Sequence, residues 1–344
     1  MERLRITQQD VANKAGVHRA TVSMALRNHP NIPEPTRLRI LRLAKKLGYA
    51  PDPMLAALAV YRSRRRPAKY HGTLAWLVNS AFGYDWRERP HFVDYHSGAV
   101  SRAKLHGFKV EIFDLNSPQM SPSRTASILY SRNILGLLLC PQPRPETTLA
   151  FPWGDFSTVT FGYTLAEPQL HAVAPSHYRA TLQIMRRLHE LGYRRVGLAL
   201  HADHDLRTDH NYLAGYLAGR QLAQAHAAIP PLNADYTDRL ALRRWLRQHR
   251  VDAIVAGNYQ ILEVLKSLEV RVPEALGVAC PLLPSVATKL SGMVENGPHI
   301  GAVAVDFLVS MIQRGERGIP ETAERIQVEG RWHEGGSLRR PSVR

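Results

Sequence analysis

Histidines and aspartates are concentrated in one short stretch, the run His201-Ala202-Asp203-His204-Asp205 followed by Asp209-His210. Imidazole and carboxylate groups at this density could bind a metal ion. The stretch has no His-x-x-x-His spacing and no cysteine, so a solvated polar loop is the alternative interpretation, and we predict no metal site. Asp205 and His210 remain candidates for contact with a small molecule.

Motifs that would indicate catalysis are missing from the sequence. It has no Gly-x-Ser-x-Gly turn, no phosphate-binding P-loop and no His-Glu-x-x-His pair. Cys140 and Cys280 lie in or just after apolar runs, where cysteine usually acts as a small apolar side chain. Two cysteines are also too few for a disulfide framework or a four-cysteine zinc site. We therefore expect neither an enzyme nor a bound cofactor.

The net charge of +16 is unevenly distributed along the 344 residues. Residues 1–70 contain 15 lysines and arginines and four acidic residues, which gives this segment a charge of +11, whereas the remaining 274 residues carry +5. A small basic module attached to a nearly balanced body is typical of a nucleic-acid-binding domain on a larger domain. No apolar run approaches the length of a membrane span, and the polar start MERLRITQQD is unlike a signal peptide, so we expect a cytoplasmic protein without a membrane segment.

Three short helices are predicted in the basic segment. Thr7 and Asp10 have the spacing of a capping box before the first helix, which Gly16 ends. The second helix runs from about Arg19 to Arg27, and the third begins near Pro35 and ends at Gly48. We expect the third helix to bury Leu38, Leu41, Ala44 and Leu47. A helix, a turn containing glycine and a second helix form the helix-turn-helix arrangement, whose second helix enters the major groove of DNA.

The stretches ITQQDVANKAGVHRATVSMAL and NIPEPTRLRILRLAKKLGYAPDP resemble the DNA-binding domain of LacI/GalR (lactose-repressor) family regulators. The resemblance implies that Arg19, Ala20 and Met24 face base edges. Arg19 suits guanine, whose O6 and N7 accept two hydrogen bonds, although contact with phosphate alone is the alternative. The residues that it implies for backbone contact are Thr7, Thr21, Ser23, Asn28, Thr36 and Arg37. His18 stands where the family usually has serine, and we expect it to weaken the cap of the second helix.

The resemblance places a hinge helix and a basic linker at residues 51–71, after a DNA-binding domain at 1–50. Leu58 corresponds to the residue that the family inserts into the minor groove as an apolar wedge. The alternative is that Leu58 packs in a core. A helix this short is marginal alone, so we expect it to order only in a dimer on DNA.

Apolar runs alternate with segments of helical periodicity throughout residues 72–344, which predicts parallel sheets covered by helices. Phrases such as LHELGYRRVGL resemble the periplasmic-binding-protein-like effector domain of the same family. The predicted fold is therefore an all-α helix-turn-helix head and an α/β effector domain of two doubly wound subdomains. We expect the first subdomain at about 72–167 and 295–318, and the second at about 168–294 and 319–338, with Ile326-Gln327-Val328 as a strand of the second.

The predicted effector contacts depart from the family pattern. Tyr212 replaces a common arginine, Ser176 replaces an aspartate, and Cys280-Pro281-Leu282-Leu283 has no carboxylate where the family usually has one, so the usual clamp on sugar hydroxyls is missing. Asn258 keeps a typical ligand-binding identity. Asn79 and Trp86 lie in the long loop after the first strand, and Trp86 could stack on a sugar or simply pack locally.

Taken together, these features predict a sequence-specific, homodimeric transcriptional regulator of the repressor type. Its expected partners are a pseudo-palindromic double-stranded operator and a small-molecule effector in the cleft between the subdomains. A carbohydrate is the candidate effector that the family suggests, although the missing clamp counts against it. An enzyme or transport protein with a similar body is one rival, and a non-specific DNA-architectural protein is another. The lack of a signal peptide and of a catalytic constellation argues against the first rival.

Overall fold

The fold is described from a computed structural model that covers residues 6–26, 32–49, 71–118, 120–201, 203–222, 228–257, 260–283 and 289–339. In chain order the helices are α1 (Gln8–Ala15), α2 (Arg19–Leu26), α3 (Glu34–Leu47), α4 (Pro90–Leu105), α5 (Pro122–Ser131), α6 (His177–Glu190), α7 (His204–Arg207), α8 (Asn211–Leu222), α9 (Arg239–His249), α10 (Ile261–Ser267) and α11 (Gly297–Arg314). The strands are β1 (Gly72–Val78), β2 (Phe108–Asp114), β3 (Gly136–Leu139), β4 (Thr147–Thr148), β5 (Ser157–Phe161), β6 (Leu165–Glu167), β7 (His171–Pro175), β8 (Val196–Ala199), β9 (Ala253–Ala256), β10 (Gly277–Leu283), β11 (Ser291–Val294), β12 (Arg325–Val328) and β13 (Arg331–His333).

The head, residues 6–49, is the three-helix unit that the sequence predicts. The Thr7 hydroxyl accepts from the Asp10 N–H while the Asp10 carboxylate accepts from the Thr7 N–H at 2.8 Å, so the capping box is confirmed. Gly16 ends α1 at a φ of +64°, a left-handed conformation that glycine adopts without a steric penalty. The three helices pack around a shared apolar core.

The predicted core face of α3 is partly wrong. Leu38 and Leu41 are 43% and 38% exposed, whereas Ile40 and Ala44 are buried and Leu47 packs against the same core. The apolar residues of α3 recur every three to four positions and form two overlapping faces. Which of these faces is buried depends on how α3 packs against α1 and α2.

Two sheets organise the body, as the sequence predicts. The first has six strands in the order β12-β7-β5-β3-β1-β2, and the second has five strands in the order β13-β11-β10-β9-β8. All pairs in the first sheet are parallel, and β11–β13 is the antiparallel pair of the second. We call the first sheet with α4, α5 and α11 the first subdomain, and the second sheet with α6 to α10 the second subdomain.

One strand assignment and one subdomain boundary from the sequence are wrong. Strand β12, which contains Ile326-Gln327-Val328, pairs with β7 in the first sheet, and it is β13 that joins the second. Strand β7 begins at His171, inside the segment assigned to the second subdomain, yet it pairs with β5 of the first. Both errors have one cause: hydrogen bonding between distant strands decides sheet membership, and local periodicity does not report it.

Helices α4 and α11 contact each other at backbone distance. A Cβ atom at Gly98 would lie 1.9 Å from the carbonyl oxygen of Pro298, and one at Gly301 would lie 1.9 Å from that of Tyr95. Only glycine permits this approach, which brings the start of α11 against the first half of α4. Glu295, just before α11, is thereby placed beside Tyr95. Within the described ranges, no helix is both long and apolar enough to cross a membrane.

Candidate nucleic-acid interface and ligand cleft

The first turn of α2 faces solvent. Arg19 and Ala20 are exposed, whereas Val22 and Ala25 are buried in the head core. Met24 is half-buried and packs against that core, so its side chain contributes to packing as well as to the surface. The surface formed by Arg19 and Ala20 is the part of α2 that an approaching base pair can reach.

The residues predicted for backbone contact occupy accessible positions where the structure describes them. Thr7 is exposed, although its hydroxyl already serves the capping box. Arg37 is half-buried and lies 3.6 Å from Glu34 in an intrahelical ion pair, a weak interaction that a phosphate can replace. The other half-buried members are Thr21, Ser23 and Thr36. Asn28, Leu58 and the predicted hinge at 51–71 lie outside the described residues, apart from His71.

The side chain of His18 caps α2, although imidazole is not among the preferred capping groups. The His18 Nδ1 atom accepts a hydrogen bond from the Ala20 N–H at 3.2 Å, and the His18 carbonyl oxygen accepts from Thr21 at 2.9 Å. An imidazole nitrogen thus takes the role that a serine hydroxyl plays at other helix starts. The cap requires the tautomer in which Nδ1 carries no proton.

The body cleft lies where the chain passes between the two subdomains. These passages occur between β7 and α6, between β11 and α11, and between β12 and β13. Ser176 belongs to the first passage: its N–H donates to the carbonyl oxygen of Val328 at 3.0 Å and its hydroxyl to Gln327 at 3.4 Å. Through these two hydrogen bonds Ser176, which is only 3% exposed, joins the first passage to the third.

Asn79 and Trp86, in the loop region after β1 of the first subdomain, are both buried. The Asn79 Nδ2 atom donates to Gln142 Oε1 at 2.9 Å, and its Oδ1 atom accepts from Asn116 and from the Ala81 N–H. Trp86 is 4% exposed, and its ring contacts those of Trp76 and His96 at centroid distances of 5.7 and 5.0 Å. Asn79 therefore holds the loop in place, and Trp86 contributes its ring to the core.

Asp205 and His210 form a pair at the start of α8. The Asp205 carboxylate accepts from the Leu213 N–H at 3.0 Å and lies 2.7 Å from His210 Nδ1. The hydrogen bond and charge of Asp205 raise the pKa of His210. This geometry caps α8, and the described part of the chain contains no cluster of three or more metal-ligating side chains.

Tyr212 and His177 meet edge to face in the second subdomain, with ring centroids 4.9 Å apart. Tyr212 is 1% exposed and its hydroxyl has no hydrogen-bond partner among the described residues. Burial lowers the pKa of His177 to about 4, so this imidazole is neutral at physiological pH. Asn258, the remaining predicted effector contact, lies outside the described residues.

A buried acidic group that the sequence prediction missed lies beside these rings. Glu295 is 6% exposed, accepts a hydrogen bond from the Tyr95 hydroxyl, and lies 3.1 Å from His91 Nδ1. Burial alone would raise the pKa of Glu295, but His91 and Tyr95 lower it below its usual value, and Glu295 in turn raises the pKa of His91. The sequence shows this group only as a carboxylate directly after an apolar strand. That position does not identify the partner, so the sequence does not predict the buried ion pair.

Arg207, also missed, connects the two subdomains directly. Its Nη1 atom donates to the carbonyl oxygen of Pro143 at 2.7 Å and its Nη2 atom to that of Gln142 at 3.0 Å. Arg207 ends α7 of the second subdomain, whereas Gln142 and Pro143 follow β3 of the first. Gln142 is fully buried and is itself held by Thr164 and Asn79, so Arg207 binds a rigid edge of the cleft.

Two family models match the chain. Residues 7–52 match the bacterial regulatory proteins of the lacI family, and residues 185–338 match the periplasmic binding protein-like domain. The chain belongs to the LacI family of bacterial regulatory proteins. The resemblance seen in the sequence is thereby confirmed, as is the predicted fold class.

Curated relatives include transcriptional regulators with low identity to this chain. The HTH-type transcriptional repressor CytR of Escherichia coli K12 is 26% identical over 212 residues, which are 61% of this chain and 58% of CytR. The chain thus spans less than two thirds of that relative. The HTH-type transcriptional regulator PtxS of Pseudomonas plecoglossicida is 26% identical over 321 residues, 90% of each chain.

Solved structures share the fold. A transcriptional regulator CelR–cellobiose complex superposes with a TM-score of 0.58 at 22% identity and covers 97% of this chain and all of that one. A LacI-family regulator from Rhizobium etli superposes with a TM-score of 0.57 at 19% identity over 77% of this chain and 98% of that one. At these identities the likeness establishes the architecture of head and body.

Proposed function

We propose that this protein is a sequence-specific transcriptional repressor whose affinity for an operator is controlled by a small molecule bound in the body cleft. The observation that carries the proposal is the exposed first turn of α2 within a family-matched helix-turn-helix unit. Arg19 reads guanine by donating two hydrogen bonds to O6 and N7. The basic charge of residues 1–70 supplies the general, salt-dependent part of the affinity.

The proposed repressor acts in the cytoplasm as a homodimer. Val93 and Val100 lie two turns apart on α4 and are 39% and 40% exposed, and Ile112 on the edge strand β2 is 43% exposed. Exposed apolar side chains on a helix and on an edge strand favour contact with a second copy. A twofold dimer presents two α2 helices and therefore requires a pseudo-palindromic operator.

The effector site in this proposal is the cleft between the subdomains. The hydroxyls of Tyr84 and Tyr212 and the Nδ1 atom of His204 are buried without a hydrogen-bond partner among the described residues. A ligand that pairs these groups would recover the cost of burying them. The CelR complex contains cellobiose, a carbohydrate, which supports a polar ligand of similar size. Binding changes the angle between the subdomains and thereby the spacing of the two heads.

Selection of DNA from a random pool by the full chain tests the proposal. We expect an enriched palindromic motif that contains guanine at one position of each half-site. The Arg19→Ala variant should lose preference at that guanine, while a control variant, Arg186→Gln, which removes an exposed charge in the body, should enrich the same motif as the native chain. Absence of any enriched palindrome would contradict the proposal and favour non-specific binding.

A further inference from the structure

The positive charge of Arg207 at the cleft is only partly balanced by acidic groups. Arg207 is half-buried, and the two acceptors of its guanidinium group are the neutral carbonyl oxygens of Gln142 and Pro143. Among the described residues, no carboxylate forms an ion pair with Arg207 or with Arg89. A carbonyl oxygen accepts the hydrogen bond but does not balance the positive charge, and the exposed Asp203 acts on Arg207 without forming an ion pair with it, so the charge of this half-buried group is only partly balanced.

Neighbouring side chains increase this positive charge. Arg89 immediately precedes α4 of the first subdomain, and its charge acts on Arg207, on His204 and on Tyr84. His204 lies three residues before Arg207 on α7, so both side chains emerge on the same side of the helix. Burial, with the charges of His201, Arg207 and Arg89, lowers the pKa of His204 to about 4, so His204 remains neutral.

Two buried polar atoms near Arg207 lack partners. The Tyr84 hydroxyl and the His204 Nδ1 atom have no hydrogen-bond partner among the described residues. Burial raises the pKa of Tyr84, so its hydroxyl keeps its proton and can donate it in a hydrogen bond. The guanidinium fork of Arg207 in the second subdomain, with Arg89 and the Tyr84 hydroxyl in the first, is complementary to a group with several anionic oxygens.

We propose that the effector carries a carboxylate or phosphate group, and that this anionic group binds Arg207 between the subdomains with Arg89 as the second cation. The inference rests on the proposed function, because it specifies the chemistry of the effector in the same cleft. The guanidinium group already makes charge-assisted hydrogen bonds to the carbonyl oxygens of Gln142 and Pro143, but an anionic group also balances its charge and can accept two parallel hydrogen bonds. The anion replaces these carbonyl oxygens as acceptor, and the contact that joins the two subdomains changes when the effector binds.

Binding of simple anions to the full chain tests this inference. Melting temperature and calorimetric affinity are measured with inorganic phosphate, D-glucuronate and neutral D-glucose, with sodium chloride holding the ionic strength constant. We expect phosphate, glucuronate or both to bind more tightly than chloride and D-glucose. Stabilisation by phosphate alone identifies a phosphorylated effector, and stabilisation by glucuronate alone identifies a carboxylate.

The variants locate the anion. Arg207→Gln should weaken binding of the preferred anion about 10- to 100-fold, the loss expected for hydrogen bonds to a charged group. Arg89→Gln, at an exposed position, should weaken binding of the anion several-fold. This variant replaces Arg207→Gln as the test if the Arg207 variant does not fold. Arg186→Gln removes an exposed charge on α6 and should bind the anion as the native chain does.

Two results would overturn the inference: anions that stabilise the native chain no more than chloride does, or equal anion affinity in the arginine variants and in Arg186→Gln. Either result leaves the repressor proposal intact when the DNA selection yields a palindrome. Conversely, anion binding that depends on Arg207 without any enriched palindrome supports the anionic site and contradicts the repressor proposal.

Discussion

Head and body differ in how they present their functional side chains. In the head, Arg19 and Ala20 are exposed on one turn of α2, and the residues that position this turn lie within a few positions in the sequence. In the body, Asn79, Trp86 and Ser176 are buried and hydrogen-bonded or packed, and their neighbours come from distant segments. A surface that reads DNA must be accessible in advance, whereas a cleft that binds a small molecule keeps its polar groups buried.

Removal of Glu295 should have the largest effect on stability, and it should destabilise the body without destabilising the head. We expect Glu295→Ala to lower the free energy of unfolding by about 3–5 kcal/mol, because it removes a buried carboxylate from the half-buried His91 and leaves the Tyr95 hydroxyl buried without its acceptor. Urea denaturation followed by tryptophan fluorescence measures this, since all five tryptophans lie in the body. Glu329→Ala removes a carboxylate from an exposed pair with Arg179 and should change stability by less than about 1 kcal/mol. Equal effects of the two variants would show that Glu295 is not paired as described.

Mild acid should also destabilise the body more than the head. His177 has a folded-state pKa of about 4 against an ordinary value of 6.5, so the unfolded chain binds the proton more readily. The stability due to neutral His177 is fully present above pH 6.5 and is lost as the pH falls towards 4, by about 2 kcal/mol between pH 6.5 and 5. Urea denaturation at several pH values measures the slope. His177→Asn should flatten it, whereas His299→Gln at an exposed position should not.

Changes in the head should alter DNA binding without altering the body. Arg19→Ala should cost about 1–3 kcal/mol on the best operator and relax base preference, while Arg37→Ala should weaken all sequences similarly. Titration of operator and scrambled DNA at fixed salt distinguishes the two effects. If both variants lose equal affinity for both DNAs, Arg19 contacts phosphate, which is the alternative considered from the sequence.

The smallest expected effect concerns the cap of α2. His18→Ala removes the acceptor of the Ala20 N–H and should destabilise the start of α2 by about 1 kcal/mol. Hydrogen exchange of the full chain should then be faster in the peptide that contains Ala20–Val22. His18→Ser restores a capping oxygen and should exchange at the native rate. Unchanged exchange in His18→Ala would mean that the imidazole does not cap the helix.

Much of the local structure could be predicted from the sequence, and most errors concern contacts between distant segments. The predicted alternation of apolar runs and helical segments is present, for example in the helix Arg239–His249 and the strands Ser157–Phe161 and Ala253–Ala256, because each is a periodic or apolar run between clear breaks. Strands β7, β11 and β13 were not predicted, since short runs carry little periodicity. The burial of Ile40 in place of Leu38 depends on helix packing, which spacing along α3 does not determine.

The sequence alone determined the features whose interacting atoms lie close together along the chain. The Thr7–Asp10 capping box spans three residues, and the concentration of positive charge in residues 1–70 is a property of composition. Only the tertiary structure decided which groups occupy the cleft. Tyr95 and Glu295 are 200 residues apart, and Arg207 is 64 residues from Pro143. Such pairs form because the two subdomains bury polar groups that must then find partners, and no local pattern specifies which partner that will be.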